Sequence, residues 1–266
     1  MTEGKICFVG AGPGDPKLLT IRAFELLHTA DVVIYDRLVS QEILNLIPKS
    51  VEKIYVGKLP QCKGGISQTE INTLLIEHAR SGKLVVRLKG GDPFIFSRGG
   101  EEAEALMKQK LRFEIVPGVS SALAGPASAG IPLTHRGYSS SVAIVTGHED
   151  PSKICSKVDW AKLASAVDTI VILMGVGRLQ QIAEELTQAG LEGTTPVAAI
   201  ESASTETQRT TLFTLQQTKD VLPSITSPSV IVIGEVAALA RTLHWNSSTL
   251  IDHISRLMPT EIQITT

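Results

Sequence analysis

Two short stretches carry residue types that can meet a ligand through bare main chain: Gly10-Ala-Gly-Pro-Gly-Asp-Pro16 and Gly90-Gly-Asp-Pro-Phe94. Each follows an apolar run, Ile6 to Val9 and Leu84 to Leu88, so both loops fall at strand ends, where open α/β sheets put ligands. Glycine lets the backbone approach a ligand with no Cβ in the way, and proline fixes the loop shape in advance. Exposed amides in such loops suit a nucleotide-like cofactor. The plainer alternative is a pair of tight strand-to-helix turns. The first loop also holds part of a dinucleotide fingerprint, since Gly10 and Gly12 are followed by Asp36 after the run Val32-Val-Ile34. The fingerprint then fails. Its third small residue is replaced by Asp15 and Pro16, and a carboxylate there would repel a pyrophosphate.

Three further clusters combine turn residues with groups that can bind or transfer charge: Arg98-Gly-Gly-Glu-Glu102, Pro117-Gly-Val-Ser-Ser121 and Thr134-His-Arg-Gly137. The formal net charge is only −2, which supplies no global field toward nucleic acid or a membrane surface. An anionic substrate must therefore be met by local arginines. The cysteines Cys7, Cys62 and Cys155 are odd in number and lack metal-knuckle spacing, which argues against a zinc site and a disulfide framework and for a reducing compartment. His135 and His148 have no partners at metal-ligand spacing, so structural hydrogen bonding is the expectation for both and no metal is expected. The opening residues run straight into a strand, with neither a signal segment nor a long apolar span. A cytoplasmic protein carrying one activity is expected.

The elements that must position these groups alternate. Apolar runs of strand length are separated by helical periodicity, the pattern of parallel βαβ units. Expected strands are Lys5 to Val9, Asp31 to Tyr35, Lys83 to Leu88, Phe113 to Val116, Val142 to Thr146, Thr169 to Met174, Pro196 to Ile200 and Ser229 to Ile233. These are too many for one small sheet. Leu19, Ala23, Leu26, Leu27 and Ala30 form one apolar helical stripe, and Ser67-Gln-Thr-Glu70 is a capping box opening another helix. Lys58 to Gly65 reads as a mobile loop, and Leu250 to Leu257 as a short helix in a C-terminal tail. The best boundary lies around Ile131 to Tyr138, after a small-residue helix spanning Ser120 to Ala129. The expected domains are 1–134 and 135–245, with a tail over 246–266.

Taken in order, the clusters resemble the tetrapyrrole methylases that use S-adenosylmethionine. The resemblance is carried by Val9-Gly-Ala-Gly-Pro-Gly-Asp-Pro16, Ala30-Asp-Val-Val-Ile-Tyr-Asp-Arg-Leu-Val-Ser40, Tyr55-Val-Gly-Lys58, Val86-Arg-Leu-Lys-Gly-Gly-Asp-Pro-Phe94, Arg98-Gly-Gly-Glu-Glu102, Val116-Pro-Gly-Val-Ser-Ser121, Gly130-Ile-Pro-Leu-Thr-His-Arg-Gly137, Val145-Thr-Gly-His148 and Gly234-Glu-Val236. It implies an α/β fold of two α/β domains with mainly parallel sheets, a cofactor cleft between them, and a homodimer. Within the family the likeness is to members that methylate C2 and C7 of uroporphyrinogen III, giving precorrin-2 for sirohaem or cobalamin synthesis. A sister methylase acting on a later corrin precursor is the alternative.

The resemblance also implies roles. Pro13, Gly90, Gly91, Asp92, Ile95, Ser120, Ser121, Met174 and Ala203 would hold S-adenosyl-L-methionine, Asp92 through an ammonium or ribose hydroxyl. Arg98, Glu101 and Asp36 would take part in the chemistry, and Arg37 and Arg136 would clamp substrate carboxylates. Each has a plainer reading: a surface ion pair for Arg98 and Glu101, a strand-end cap for Asp36, a core methionine for Met174. The segment Glu201-Ser-Ala-Ser-Thr205 stands where many members carry glycine, which weakens Ala203 as a backbone contact. From other classes, a nicotinamide-dependent dehydrogenase and a non-catalytic nucleotide-binding subunit compete, the first opposed by Asp15-Pro16 and the second by Arg98.

Overall fold

The computed structural model describes residues 4–57, 66–148, 158–246 and 249–254. The chain divides into two compact units, 1–121 and 122–266. The loop from Lys58 to Gly65, Cys62, Cys155 and the tail beyond residue 254 lie outside the described residues.

The first unit is built on a fully parallel sheet of β1 (Lys5–Gly10), β2 (Val32–Tyr35), β3 (Glu52–Tyr55), β4 (Leu84–Lys89) and β5 (Phe113–Val116) in the order β3-β2-β4-β1-β5. The strand period of two sorts its side chains onto opposite faces. Cys7, Val9, Val33, Val86 and Leu88 pack with Ala23, Leu26, Leu27 and Ile43 of the helices Ile21–Thr29 and Gln41–Asn45. Ile6, Phe8, Val32, Ile34 and Val85 pack with Ile71, Leu75, Ala79, Ala103 and Leu106 of the helices Gln68–Arg80 and Gly99–Lys108. The helix start signals act locally. Thr20 Oγ1 caps the first helix by accepting from the Ala23 amide, and the Ser67–Glu70 capping box forms in both directions.

One consequence of this layering fixes where ligands go. The helix after β1 covers one face, the helix after β4 covers the other, and β1 and β4 are neighbours. Their carboxyl ends therefore form a topological switch point, the crevice where open α/β sheets bind ligands.

The second unit carries β6 (Val142–Thr146), β7 (Thr169–Leu173), β8 (Pro196–Glu201), β9 (Arg209–Thr214), β10 (Ser229–Ile233) and β11 (Thr249–Asp252) in the order β11-β9-β8-β10-β7-β6. This sheet is mixed rather than mainly parallel. Only β6 with β7 and β9 with β11 pair in parallel, whereas β7 with β10, β10 with β8 and β8 with β9 run antiparallel. Hydrophobic periodicity identifies a strand but not its direction. A connection too short for a helical crossover, Ser202 to Gln208, sets the direction of β9 against β8.

The segment expected as a linker belongs to this unit. Ile131 is buried in its core with Ala198, Ile200 and Val232, and Ser139 Oγ lies 2.8 Å from Thr169 Oγ1. The small-residue helix Ser121–Ser128 packs here as well, Ala122 against Val171 and Val230. The division by contacts accordingly falls at the start of that helix instead of after it. At the other end, the reading of Leu250 to Leu257 as helix is corrected over its described part: Thr249–Asp252 pairs with Arg209 to Leu212 as an edge strand. The sheet thus recruits the first residues of the expected tail.

Candidate functional site

The two glycine loops lie together at the switch point of the first unit and are hydrogen bonded to each other. The Gly12 amide donates to the Gly91 carbonyl at 3.1 Å and the Gly91 amide to the Gly12 carbonyl at 2.7 Å. Gly12 and Gly91 have φ of 73° and 67°, the left-handed region in which glycine carries no Cβ penalty. A third loop joins them from the end of β5. A Cβ at Gly10 would lie 2.5 Å from the Gly118 Cα and 2.7 Å from the Gly91 carbonyl oxygen. Part of what the glycines do is therefore main-chain packing against main chain.

Asp92 fastens this arrangement. Its Oδ1 accepts from the Phe94 amide at 2.8 Å and its Oδ2 from the Gly118 amide at 3.1 Å. Each oxygen keeps a lone pair for a ligand donor. Asp15, by contrast, is turned to local use, capping a helical turn by accepting from the Lys17 amide at 2.8 Å. Ser40 Oγ donates to the Gly14 carbonyl at 2.7 Å, tying the loop after β2 to the loop after β1. Pro13 is half-buried in the first loop, Ser120 is buried and Ser121 half-buried after β5. A Cβ at Gly91 would stand 3.8 Å from the Ser121 amide nitrogen, so these hydroxyl residues border the glycine loops. Beyond Gly90, Phe94, Ile95 and Phe96 are exposed in succession, an apolar patch at a loop otherwise rich in polar backbone.

Arg98 and Glu101 pair with one another. Arg98 Nε donates to Glu101 Oε1 at 3.0 Å and Nη2 to Oε2 at 2.6 Å, with both side chains more than half exposed. The hydrogen bond from Arg98 holds the Glu101 carboxyl below its ordinary pKa. This is the geometry of the surface-pair reading, with one addition: Arg98 is left-handed, φ 62°, at the N-terminus of the helix, and Phe96 is left-handed two residues before it. Strained non-glycine backbone of this kind clusters at ligand sites.

Asp36 ends β2 with its side chain about one-third exposed, and it is held from the inside. Arg87 Nη2 donates to its Oδ1 at 2.8 Å, and Lys89 Nζ lies 3.7 Å from its Oδ2. The strand-end cap reading does not describe this contact. Arg87, Lys89 and Glu102 were given no role from the sequence, yet each is at most 2 % exposed. A signal was present: Arg87 and Lys89 alternate with Val86 and Leu88 on β4, which puts two cations in line with Val85 on the helix-covered face. Arg37 is exposed in the turn after Asp36.

Three expected site residues belong to the second unit. Met174 and Ala203 follow β7 and β8, which run the same way on either side of β10, so both lie at one edge of that sheet. Met174 is 51 % exposed with φ 55°, which rules out the ordinary core-methionine reading. Ala203 is buried, flanked by the left-handed Ser202 and Ser204. Its methyl packs toward Gly125. The Ser204 hydroxyl is buried with no hydrogen-bond partner among the described residues. Arg136 is exposed in a tight turn closed by His135 and Ser139, where His135 Nδ1 accepts from the Gly137 amide at 3.2 Å. Among the described residues no group of three or more His, Cys, Asp or Glu is placed to hold a metal ion, and no helix is long and apolar enough to cross a membrane.

Residues 5–219 match the model of the tetrapyrrole (corrin/porphyrin) methylases, and the chain belongs to that family. Over 238 residues it is 49 % identical to the S-adenosyl-L-methionine-dependent uroporphyrinogen III methyltransferase of Methanosarcina barkeri, covering 89 % of this chain and 93 % of that one. It is 46 % identical over 249 residues to the uroporphyrinogen-III C-methyltransferase of Bacillus subtilis, covering 93 % and 96 %. Among solved structures, the uroporphyrin-III C-methyltransferase of Thermus thermophilus complexed with S-adenosylhomocysteine superposes with a TM-score of 0.77 at 42 % identity, over 88 % of this chain and 99 % of that one.

Proposed function

We infer that this chain is an S-adenosylmethionine-dependent methyltransferase that methylates uroporphyrinogen III at C2 and C7, giving precorrin-2 for sirohaem or cobalamin synthesis. The observation that carries this reading is the interlocked glycine loops at the switch point, Gly10 to Pro16 and Gly90 to Phe94. They occur in a chain 46–49 % identical to proteins named for that activity.

The residues present fit the cofactor. The first unit offers preformed main chain at Gly90 and Gly91, a carboxylate with free lone pairs at Asp92, and exposed apolar surface at Ile95, beside Pro13, Ser120 and Ser121. In the second unit Met174 and Ala203 are assigned by family resemblance, supported by the exposed strained Met174 and the orphaned buried hydroxyl next to Ala203. When bound, S-adenosylmethionine supplies an electrophilic methyl on a sulfonium, and its transfer leaves positive charge on the tetrapyrrole until a proton is lost.

The chain's own part is positioning and charge. The glycine loops orient without side-chain motion, which is the kind of preorganisation that lowers a displacement barrier. Asp36 presents a carboxylate to pyrrole N–H groups and to the charge that develops there. Arg37 and Arg136 clamp carboxylates of the substrate as bidentate donors. Arg98 meets the substrate from its exposed turn with Glu101 as its partner; a guanidinium carries no acceptor and serves as a donor and not as a base. The same reading makes the protein a cytoplasmic homodimer.

Purified protein incubated without oxygen with uroporphyrinogen III and methyl-labelled S-adenosylmethionine, followed by mass spectrometry of the tetrapyrrole, tests it. A gain of two methyl groups is expected. Cofactor binding without methyl gain would move the substrate to a later corrin precursor, and absence of cofactor binding would overturn the methyltransferase reading. Sedimentation velocity checks the dimer.

A further inference from the structure

Behind Asp36 lies a buried charge network that the proposed chemistry has not used. Glu102 Oε2 accepts from Arg87 Nε at 3.2 Å, and its Oε1 accepts from Arg87 Nη2 at 3.2 Å, Lys89 Nζ at 3.0 Å and Gln68 Nε2 at 3.1 Å. Glu102, on the helix Gly99–Lys108, is 1 % exposed, and its partners come from two other elements, the helix Gln68–Arg80 and β4. Arg87 Nη1 also donates to the carbonyls of Ile34 and Leu88, at 3.4 Å each. Nothing in this packing demands charge. Val85, on the same face of the same strand, is covered by the same helices with apolar contacts.

Charge balance gives the network a direction. Two buried cations, Arg87 and Lys89, face one buried anion, Glu102, and two cations opposing one anion leave one positive charge uncompensated in a low-dielectric site. Asp36 is the group that compensates it, and Asp36 alone among the four reaches solvent, its side chain 29 % exposed. The network therefore ends at a solvent-reaching carboxylate just past the carboxyl end of β2. Burial, then repulsion from Arg87, lower the Lys89 pKa, while for Arg87 the attraction of Asp36 and Glu102 outweighs burial and raises it. Lys89 is thus the softer cation of the pair.

We propose that Arg87, Lys89 and Glu102 are positioning residues that hold Asp36 in one orientation, so that its outer lone pairs meet the tetrapyrrole N–H groups while its inner ones are saturated. This rests on the reading of Asp36 as a residue of the methylation site. Lys89 and Glu102 hold it from two sides. Removing the lysine takes away one of the two cations that contact the Asp36 carboxylate; removing the glutamate leaves both cations with Asp36 as their one carboxylate partner in the network. Among the described residues, the charged groups that contact Asp36 are Arg87 and Lys89 of β4, with Glu102 behind them and Glu101 within the field of Lys89 on the helix Gly99–Lys108.

The test is the split between kcat and KM. Lys89→Met and Glu102→Gln each lower kcat on the order of tenfold or more, with a smaller change in KM and S-adenosylhomocysteine binding unchanged, because Asp36 is no longer held in one orientation. Lys89→Arg, which keeps the cation, retains most of the wild-type kcat. The double variant Lys89→Met/Glu102→Gln removes one charge of each sign, leaves Arg87 opposite Asp36, and loses less than the two single variants combined. A kcat unchanged in both single variants, or a loss that falls on KM or on cofactor binding instead, would overturn the positioning role. Asp36→Asn separates this from the reading beneath it: loss of turnover with S-adenosylhomocysteine still bound keeps Asp36 in the site, whereas full turnover in Asp36→Asn removes both claims without touching the methyl transfer itself.

Discussion

Replacing Gly10 with alanine tests whether the glycine loops are locked to one another. The new Cβ would meet the Cα and amide nitrogen of Gly118, each at 2.5 Å, and the Gly91 carbonyl oxygen at 2.7 Å. All three are main-chain atoms, so no side chain can swing aside. Reaching an ordinary contact of about 3.5 Å requires the loops to part by roughly 1 Å. Overpacking of this kind costs about 1–3 kcal/mol, and Gly10 has no positive φ to add strain. Displacing Gly90 to Asp92 by that amount also weakens S-adenosylhomocysteine binding, by tenfold or more if the loops hold it as inferred. Gly100→Ala is the matched control, since nothing lies within 4 Å of its Cβ position and alanine favours a helix by up to about 1 kcal/mol over glycine. Urea denaturation and titration calorimetry on both variants give the comparison. Equal stability and equal affinity in Gly10→Ala and wild type would refute the close-packed account.

Other outcomes follow from ion pairs and burial elsewhere. Glu201 is buried and takes Arg209 Nε at 2.6 Å and Nη2 at 2.8 Å as well as the Thr226 amide and hydroxyl, both at 2.7 Å. These bonds outweigh the upward push of burial and hold its pKa low. Arg209→Met should cost about 2 kcal/mol by chemical denaturation, less than the roughly 3–5 of a fully buried pair because Arg209 keeps solvent contact. Glu114, bonded by Arg22 and then Lys5, has its carboxyl lowered from 4.5 to about 2. Its contribution is complete above the unfolded value and is lost as pH falls from about 4.5 through about 2. Screening keeps it below about 1 kcal/mol, so Glu114→Gln should narrow the stability difference between pH 7 and pH 3 by no more than that. Burial pushes the Cys7 thiol up to about 11, so folded protein should leave Cys7 unmodified by iodoacetamide at pH 8 while denatured protein reacts, as peptide mapping would read.

Most of the first unit was legible because its strands are apolar and separated by helices with clear caps. β3 escaped notice because Glu52 and Lys53 are exposed and Ile54 alone is apolar inside it, the signature of an edge strand rather than of a core one. β9 is rich in threonine, and its buried hydroxyls hide a strand that hydropathy alone does not flag. The glycine loops were readable as loops, but their mutual hydrogen bonds depend on strand order, which periodicity does not contain. The pairing of Asp36 with Arg87 is of the same kind: the residues are far apart in sequence and meet only because β2 and β4 are neighbours. Met174 illustrates the reverse, since composition favoured a core position and a left-handed backbone at the strand end turned it outward.

At the switch point, Gly10, Gly91 and Gly118 meet as bare backbone with no side chain between them. A floor assembled that way offers little for substitution to vary, because an added Cβ at Gly10 or Gly118 meets main chain and the left-handed backbone at Gly91 disfavours one there. On the function proposed above, new substrate preferences in such a scaffold are written on its borders, at exposed side-chain-bearing positions such as Arg37, Phe94, Phe96 and Arg98. The foundation and the selectivity are thereby carried by different atoms, and one can be redesigned while the other is left alone.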